Sequence, residues 1–579
     1  MVFSTYFGNY NRRLLKNVSL VLVPVISVSY LSIKKKSSLS NIQAESSGLP
    51  PFKVQYLIIG SGPTAYSALR TIRYLEPSSK VLIATDSKYL PYERYPLNME
   101  AWFTDNFSET FEYESRFQAS NKFLFFQPES FYLSPTDLES ADEYGAQALL
   151  LKHKFSQIDP EKHLARLENG DSVQYEKCLL ALGSKTPTLP TKIPASLKKK
   201  FHVLDNLDDF HSLTESLANC SHIGIIGDNL KAVEFATCQS LIFNNEVKRK
   251  VTLTCSGKFL ADYLPQIVID WLKPEIEKLG VKIIENAKVG NLVVSNQSGK
   301  LKLNFGTESF CCDNVVSMLP RIANSELAKN SALETDSDNL DTIVTDSTLK
   351  VRSDLYAAGS CVSVYHPMFR SRLSFDFPDH SVMSGRWAAL NMIGKVMPYF
   401  KLPRHFADFG DDLGFDGVGL IDPKLETQVY FAHRSKTEQN ENTADTELEN
   451  TETLESKVDS KSTEIEAGNV TDKEEIETNQ EYTNMESKTT QNQNPTASTE
   501  VEEKSNIDDD PIASCAVVYI KDGVVVGVVT LGSFGRMFIA ENMISRKVKS
   551  EDVYEFVPLL LTTKFSIRKP SDEDEDGMF

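Results

Sequence analysis

Two stretches of this chain share one pattern: an apolar, β-branched run that stops at a glycine, a segment with helical spacing, then a second apolar run. In the first, Val54-Gln55-Tyr56-Leu57-Ile58-Ile59 ends at Gly60, which predicts a strand buried on both faces. Residues 64–75 then predict a helix, and Lys80-Val81-Leu82-Ile83-Ala84-Thr85-Asp86 a second strand. Strand, tight turn, helix and strand within about 30 residues make a βαβ unit. The arrangement returns at Ser221-His222-Ile223-Gly224-Ile225-Ile226-Gly227, with a helix over 230–243 and a strand over 250–254. The chain is therefore expected to hold two nucleotide-type folds, as its 579 residues allow.

Residues 434–510 follow neither period. Thr, Glu, Asn, Gln and Ser dominate there with hardly any aromatics, too little apolar surface to offset the entropy of ordering, so a disordered insertion is predicted. Beyond it, Cys515-Ala516-Val517-Val518-Tyr519-Ile520, the turn Lys521-Asp522-Gly523 and Val524-Val525-Val526-Gly527-Val528-Val529 alternate as a β-hairpin. The insertion thus has structure on both sides.

Charge follows the same division. Of the formal −19, residues 436–510 carry 22 Asp/Glu against 6 Lys, and the remainder is nearly neutral. Such a balance does not support nucleic-acid binding, although Lys198-Lys199-Lys200 can form a local patch. The acidic run 572–576 reads as a solvated tail. Cys178, Cys220, Cys238, Cys255, Cys311, Cys312, Cys361 and Cys515 contain no C-x-x-C pair and no zinc spacing, so they read as reduced core residues and no metal site is expected. The first 44 residues carry Arg12, Arg13, Lys16, Lys34, Lys35 and Lys36 and no acid before Glu45, the bias of a mitochondrial presequence. Within them residues 18–33 form an apolar run shorter than the roughly 20 residues of a spanning helix, a marginal inner-membrane anchor. A secretory signal and a presequence that is simply removed are the competing readings.

The candidate chemistry sits at the first turn. Gly60-Ser61-Gly62-Pro63-Thr64-Ala65 is G-x-G-x-x-A between a strand and a helix. Gly60 permits the tight turn, Gly62 lets backbone approach a pyrophosphate at the helix N-terminus, and Ala65 allows close helix–strand packing. Asp86, at the end of the second strand, stands where an acid accepts hydrogen bonds from ribose hydroxyls.

Leu90-Pro91-Tyr92-Glu93-Arg94-Tyr95-Pro96-Leu97-Asn98-Met99-Glu100-Ala101-Trp102-Phe103 resembles the flavin-side segment of the apoptosis-inducing factor family. Similar stretches follow in that family's order: Tyr175-Glu176-Lys177-Cys178-Leu179-Leu180-Ala181-Leu182-Gly183, Leu355-Tyr356-Ala357-Ala358-Gly359, Asp379-His380-Ser381-Val382-Met383-Ser384-Gly385-Arg386, and Phe534-Gly535-Arg536-Met537-Phe538-Ile539-Ala540. The resemblance runs from about Phe52 to near Leu561. It implies an α/β, glutathione-reductase-like fold: tandem Rossmann domains, an FAD domain with an inserted NAD-type domain, followed by an α+β C-terminal domain. By matching position, Gly60, Gly62, Pro63, Thr64, Ala65 and Asp86 would hold the adenosine and pyrophosphate of FAD. Arg94, Gly183, Gly359, Ser360, His380 and Phe406 would complete the flavin site, with Arg94 alternatively an ordinary surface ion-pair partner. Glu234 and Phe377 would stand nearest the reacting atoms, Glu234 alternatively as an exposed helix residue.

Departures from the family concentrate on the nicotinamide side. Its lysine near the flavin is Met99 here, which leaves Glu234 without that partner. The second fingerprint reads Gly227-Asp228-Asn229-Leu230-Lys231-Ala232, with Asn229 in place of a glycine and Asp228 adding negative charge. The following strand ends Thr254-Cys255-Ser256-Gly257 without a ribose-binding acid, and the family's later Gly-x-x-Pro-Asn segment appears as Pro320-Arg321-Ile322-Ala323-Asn324. On the flavin side Ala358-Gly359-Ser360 replaces Ala-Gly-Asp, Asp376-Phe377-Pro378 replaces Glu-His-His, and Phe406 replaces a tryptophan.

The organisation expected is a targeting segment over 1–47, an FAD domain over 48–187 and 323–405, an NAD-type domain over 188–322, a C-terminal domain over 406–433 and 511–565 split by the insertion 434–510, and a tail over 566–579. Two functions fit: an FAD-dependent, NADH-oxidising mitochondrial flavoprotein with a degenerate nicotinamide site, or a catalytically inactive scaffold that keeps the fold. A monodehydroascorbate- or ferredoxin-reductase-like enzyme is the third, set back by the acidic insertion. Resemblance alone implies respiratory-complex biogenesis, apoptosis, import or assembly partners, a homodimer, an intermembrane-space location and nuclear relocation.

Overall fold

In the computed structural model the chain is described over residues 52–433, 512–561 and 566–568, apart from short stretches at 116–119, 142–143, 245–246, 289–292, 298, 307 and 411–412. The segments read as targeting sequence and acidic insertion lie outside the described residues, as does the tail beyond Arg568, while Ser566–Arg568 form a short strand rather than tail.

The first sheet grows from strand β1 (Phe52–Ile59), whose apolar residues are almost all buried. Helix α1 (Pro63–Leu75) follows, with proline pre-setting its first turn and Pro77 just beyond its last. Strand β2 (Lys80–Ala84) pairs parallel with β1 in the register Ile58↔Ile83. Strands β3 (Ala146–Leu150) and β4 (Ser172–Leu180) extend the sheet on either side, also parallel. Crossover helices cover such a sheet, which is why its strands read as continuous apolar runs rather than alternating ones.

The chain then builds a second parallel sheet from β5 (His222–Ile226), helix α2 (Leu230–Leu241), β6 (Lys250–Thr254), β7 (Val281–Ile284) and β8 (Asn314–Ser317). Its strand order is β8-β5-β6-β7, with Phe201–His202 beside β8. It returns to the first sheet with β9 (Leu355–Ala357), parallel to β4, and helix α3 (Pro378–Met392). The fold class expected from the sequence is therefore present: two nucleotide-type sheets, the second inserted into the first.

A mainly antiparallel unit closes the described chain: β10 (Arg404–Asp408), β11 (Gly414–Gly419), β12 (Glu426–His433), β13 (Ile512–Lys521), β14 (Val524–Leu531) and helix α4 (Met537–Ser545). The β13–β14 hairpin turns at Asp522 and Gly523, both at positive φ, where Lys521 faces Val524. Two consecutive positive φ values match the right-handed twist of the flanking strands. None of the eight cysteines is in a disulfide among the described residues; seven are buried and Cys311 partly so.

Candidate functional site

The turn after β1 is built around glycine. Gly60 has φ +122, and a Cβ there would overlap the carbonyl of Ala181. Gly62 is the N-cap of α1 in extended conformation and no side chain caps this helix end. No atom of the described residues lies within 4 Å of a Cβ built at Gly62. The first amides of α1 thus face open space at the positive end of the helix, an arrangement suited to a pyrophosphate. Pro63 and Thr64 line the same cavity, of about 1210 Å³, while Ala65 is fully buried beneath the helix. Gly385 of α3 lies against the backbone of Thr64, so the two helices cross closely, and a Cβ at Gly359 (φ +86) would come within 2.5 Å of Thr64 Oγ1. Asp86 is exposed, two residues past the end of β2.

The cavity continues past Arg94, whose Nε is buried with no hydrogen-bond partner among the described residues, and past Gly183 at φ +69. An orphaned guanidinium nitrogen on the wall and an open glycine at the helix end both fit the flavin cofactor that the sequence implies. Ser360 also lines this region; its Oγ lies 3.0 Å from Ser184 Oγ, which donates to Asp376 at 3.1 Å. A serine-to-serine relay onto Asp376 therefore stands where the family has a single carboxylate. Asp376 in turn accepts from Lys231 Nζ at 2.8 Å, with Arg321 Nη1 at 3.8 Å. Burial pushes the Asp376 carboxyl up, but Lys231 and Arg321 outweigh it and leave the group below the usual range. Lys231 belongs to α2 and Asp376 to the return segment before α3, so this ion pair ties the two nucleotide-type folds together across the cavity.

At the second turn the helix end is already occupied. Asn229 caps α2 by accepting the Ala232 N–H at 3.0 Å, and its amide donates to the Met318 carbonyl at 2.6 Å. Asp228 beside it is raised above its ordinary range, by burial first and by Asp262 second. A pyrophosphate placed here would meet a carboxyl group and a capping side chain that already holds the Ala232 N–H.

Glu234 is 1% exposed, which corrects the reading of an unpartnered or exposed helix residue. Tyr95 Oη donates to Oε1 at 2.7 Å, the backbone N–H of Asp408 donates to the same oxygen at 2.9 Å, and the Asn98 amide donates to Oε2. Three uncharged donors hold this carboxyl where the family resemblance implies a lysine, and Met99 is buried. Burial raises the carboxyl to about 7 despite the three donors.

Two further expectations change. His380 is buried and does not line the cavity: its Nδ1 lies 3.0 Å from Tyr399 Oη, beneath α3. Phe406 meets Tyr95 and Phe534 edge-on or tilted and is likewise off the cavity wall, where its strand neighbour His405 stands beside Phe377 at 4.3 Å between ring centroids. Side chains alternate along a strand, so adjacent positions cannot share that wall. Tyr95, Asn98, Ser184, Lys231, Arg321 and His405 were not singled out from the sequence. Only a three-dimensional neighbour makes them notable.

Comparison with known proteins agrees with this geometry. The profile of the pyridine nucleotide-disulphide oxidoreductases matches residues 54–383, and that of the mitochondrion-associated C-terminal domain of apoptosis-inducing factor matches residues 388–546. A Drosophila melanogaster protein assigned as a mitochondrial apoptosis-inducing factor 1 is 32% identical over 394 residues, 67% of this chain and 53% of its own length. The mitochondrial apoptosis-inducing factor 1 of Dictyostelium discoideum is 26% identical over 64% of this chain and 69% of its own. This chain therefore aligns with only about half of the fly protein. A ferredoxin reductase from Rhodopseudomonas palustris superposes with a TM-score of 0.60 over 88% of this chain and 98% of its own, at 17% identity. A water-forming NADH oxidase from Lactobacillus brevis gives 0.59 over 89% and 95%, at 13% identity. With its profile matched over more than half the chain, this is a member of the pyridine nucleotide-disulphide oxidoreductase family.

Proposed function

We propose that this chain is a mitochondrial flavoprotein that holds FAD at the N-terminus of α1 and is reduced by NADH only weakly. The observation that carries this reading is the contrast between two equivalent helix ends: α1 begins at an uncapped glycine facing open space, α2 at an asparagine that caps itself. On this reading Gly60, Gly62, Pro63, Thr64 and Ala65 shape the pyrophosphate cradle and Asp86 receives the ribose. Gly183 and Ser360 line the approach to the flavin, Gly359 packs against Thr64 behind it, and Arg94 stands beside it as a donor. When bound, the flavin supplies a ring that accepts a hydride at N5. Phe377 and the Glu234 cluster shape the space beside it and keep water out. The Lys231–Asp376 pair lies on the side from which a nicotinamide would approach, and Asp228 and Asn229 oppose the pyrophosphate of NADH. The names of the fly and slime-mould relatives and the basic, acid-free first 44 residues support a mitochondrial location.

The absorbance spectrum of the purified chain, before and after incubation with FAD and removal of free cofactor, tests the flavin assignment. A retained flavin band is expected. A protein that stays colourless after incubation contradicts it.

A further inference from the structure

Neither ring nitrogen of His405 makes a hydrogen bond of ordinary geometry among the described residues, and only the Gly419 backbone lies near enough to act on the ring. The residue is 7% exposed and stands on β10 at the cavity wall. Its neighbours on that wall are apolar: the Phe377 ring at 4.3 Å and the Phe375 ring at 6.3 Å. Burying a donor and an acceptor unpaired costs stability, and a plain hydrophobe at this position would avoid that cost. An orphaned polar group that is buried and borders a cavity is explained by a ligand that completes it.

We propose that His405 is a positioning residue that donates a hydrogen bond to a carbonyl oxygen of the bound isoalloxazine. This rests on the flavin reading above and adds a contact from the C-terminal unit. Burial holds the ring down to about 4, with only the Gly419 backbone pulling weakly the other way, so at neutral pH the imidazole is uncharged and carries one N–H donor and one acceptor. A neutral donor suits a carbonyl oxygen without adding a buried charge. Electron density on the flavin carbonyls increases on reduction, so the bond strengthens in the reduced state and biases the cofactor toward it. The C-terminal unit thereby acts on the cofactor rather than merely packing against it.

The test uses the full-length chain with His405→Phe, His405→Leu and His405→Gln, read by FAD affinity in a fluorescence titration and by flavin midpoint potential. Phenylalanine and leucine remove both polar atoms, and glutamine restores a donor and an acceptor. Loss of one hydrogen bond to a buried carbonyl predicts about tenfold weaker FAD binding and a more negative potential in the apolar variants. The glutamine variant should recover most of both. If the phenylalanine variant misfolds, the leucine variant supplies the same reading. Apolar variants that bind FAD as tightly as the unmodified chain, at the same potential, overturn the proposal while leaving the flavin assignment standing. An unmodified chain that takes up no FAD overturns that assignment and this proposal with it.

Discussion

At the scale of single residues, Glu234 shows how far burial can shift a carboxyl group even against three hydrogen-bond donors. Its folded-state value is raised to about 7, so the native state binds a proton there that the unfolded chain releases near 4.5. Stability from this group is full below about pH 4.5 and declines as pH rises toward 7. Glu234→Gln removes the titration, and its Oε1 can still accept from Tyr95 and Asp408 if the Asn98 amide turns to present its oxygen. The variant is expected to gain stability relative to the unmodified chain between pH 5 and pH 8, by an amount on the order of 2 kcal/mol. Chemical denaturation at both pH values measures it, and a gap that does not widen with pH contradicts it. Gly60 and Gly62, both legible in the sequence, separate in consequence. Gly60→Ala meets the Ala181 carbonyl at positive φ and is expected to destabilise the chain by ~3 kcal/mol or more. Gly62→Ala meets no described atom, at an ordinary φ of −82, so the cofactor-free fold should lose no more than the ~1 kcal/mol that alanine costs at an N-cap. FAD affinity should nevertheless fall roughly 100-fold, because the methyl group fills the space a phosphate needs. Thermal melting and FAD titration of the two variants read these effects. Equal FAD affinity in Gly62→Ala contradicts the cradle.

Among the elements, the helix caps carry most of the functional information. In the sequence Asn229 reads only as a glycine lost from the second fingerprint, whereas the structure makes it the N-cap of α2. What the sequence could not reveal is that the same side chain also bonds the carbonyl of Met318, the residue after β8 and 89 positions away. Asn229→Gly is expected to cost the fold only a few tenths of a kcal/mol as a cap. It frees the Ala232 amide, and NADH affinity should rise roughly five- to tenfold. Isothermal titration of both proteins with NADH checks this, and an unchanged affinity shows that the cap is not what limits binding. Strands and helices themselves were legible because their apolar runs are long: β1, α1 and β6 fall within a residue or two of the expected bounds. The cavity wall was not. His405 and Phe406 are equivalent in composition terms, and only the pleat of β10, set by its pairing of His405 with Gly417, decides which one faces inward. His380 likewise has a sequence neighbourhood that matches the family, yet the rotation of α3 turns it toward Tyr399.

Over the whole molecule, one cavity is bordered by residues from all three units: Gly62 and Arg94 from the first sheet's segments, Asn229 and Glu234 from α2, and His405 from β10. The tandem arrangement was legible because each unit repeats a local pattern. The ion pair of Lys231 with Asp376 was not, since it joins positions 145 residues apart that no local pattern relates. On the proposed reading, the open cradle at α1 and the self-capped end of α2 belong to a protein that keeps its flavin and resists its nicotinamide. Stopped-flow absorbance of the FAD-loaded chain mixed with NADH under anaerobic conditions tests that claim most directly. The account predicts slow bleaching of the flavin band that saturates only at millimolar NADH. Rapid bleaching at micromolar NADH would contradict it.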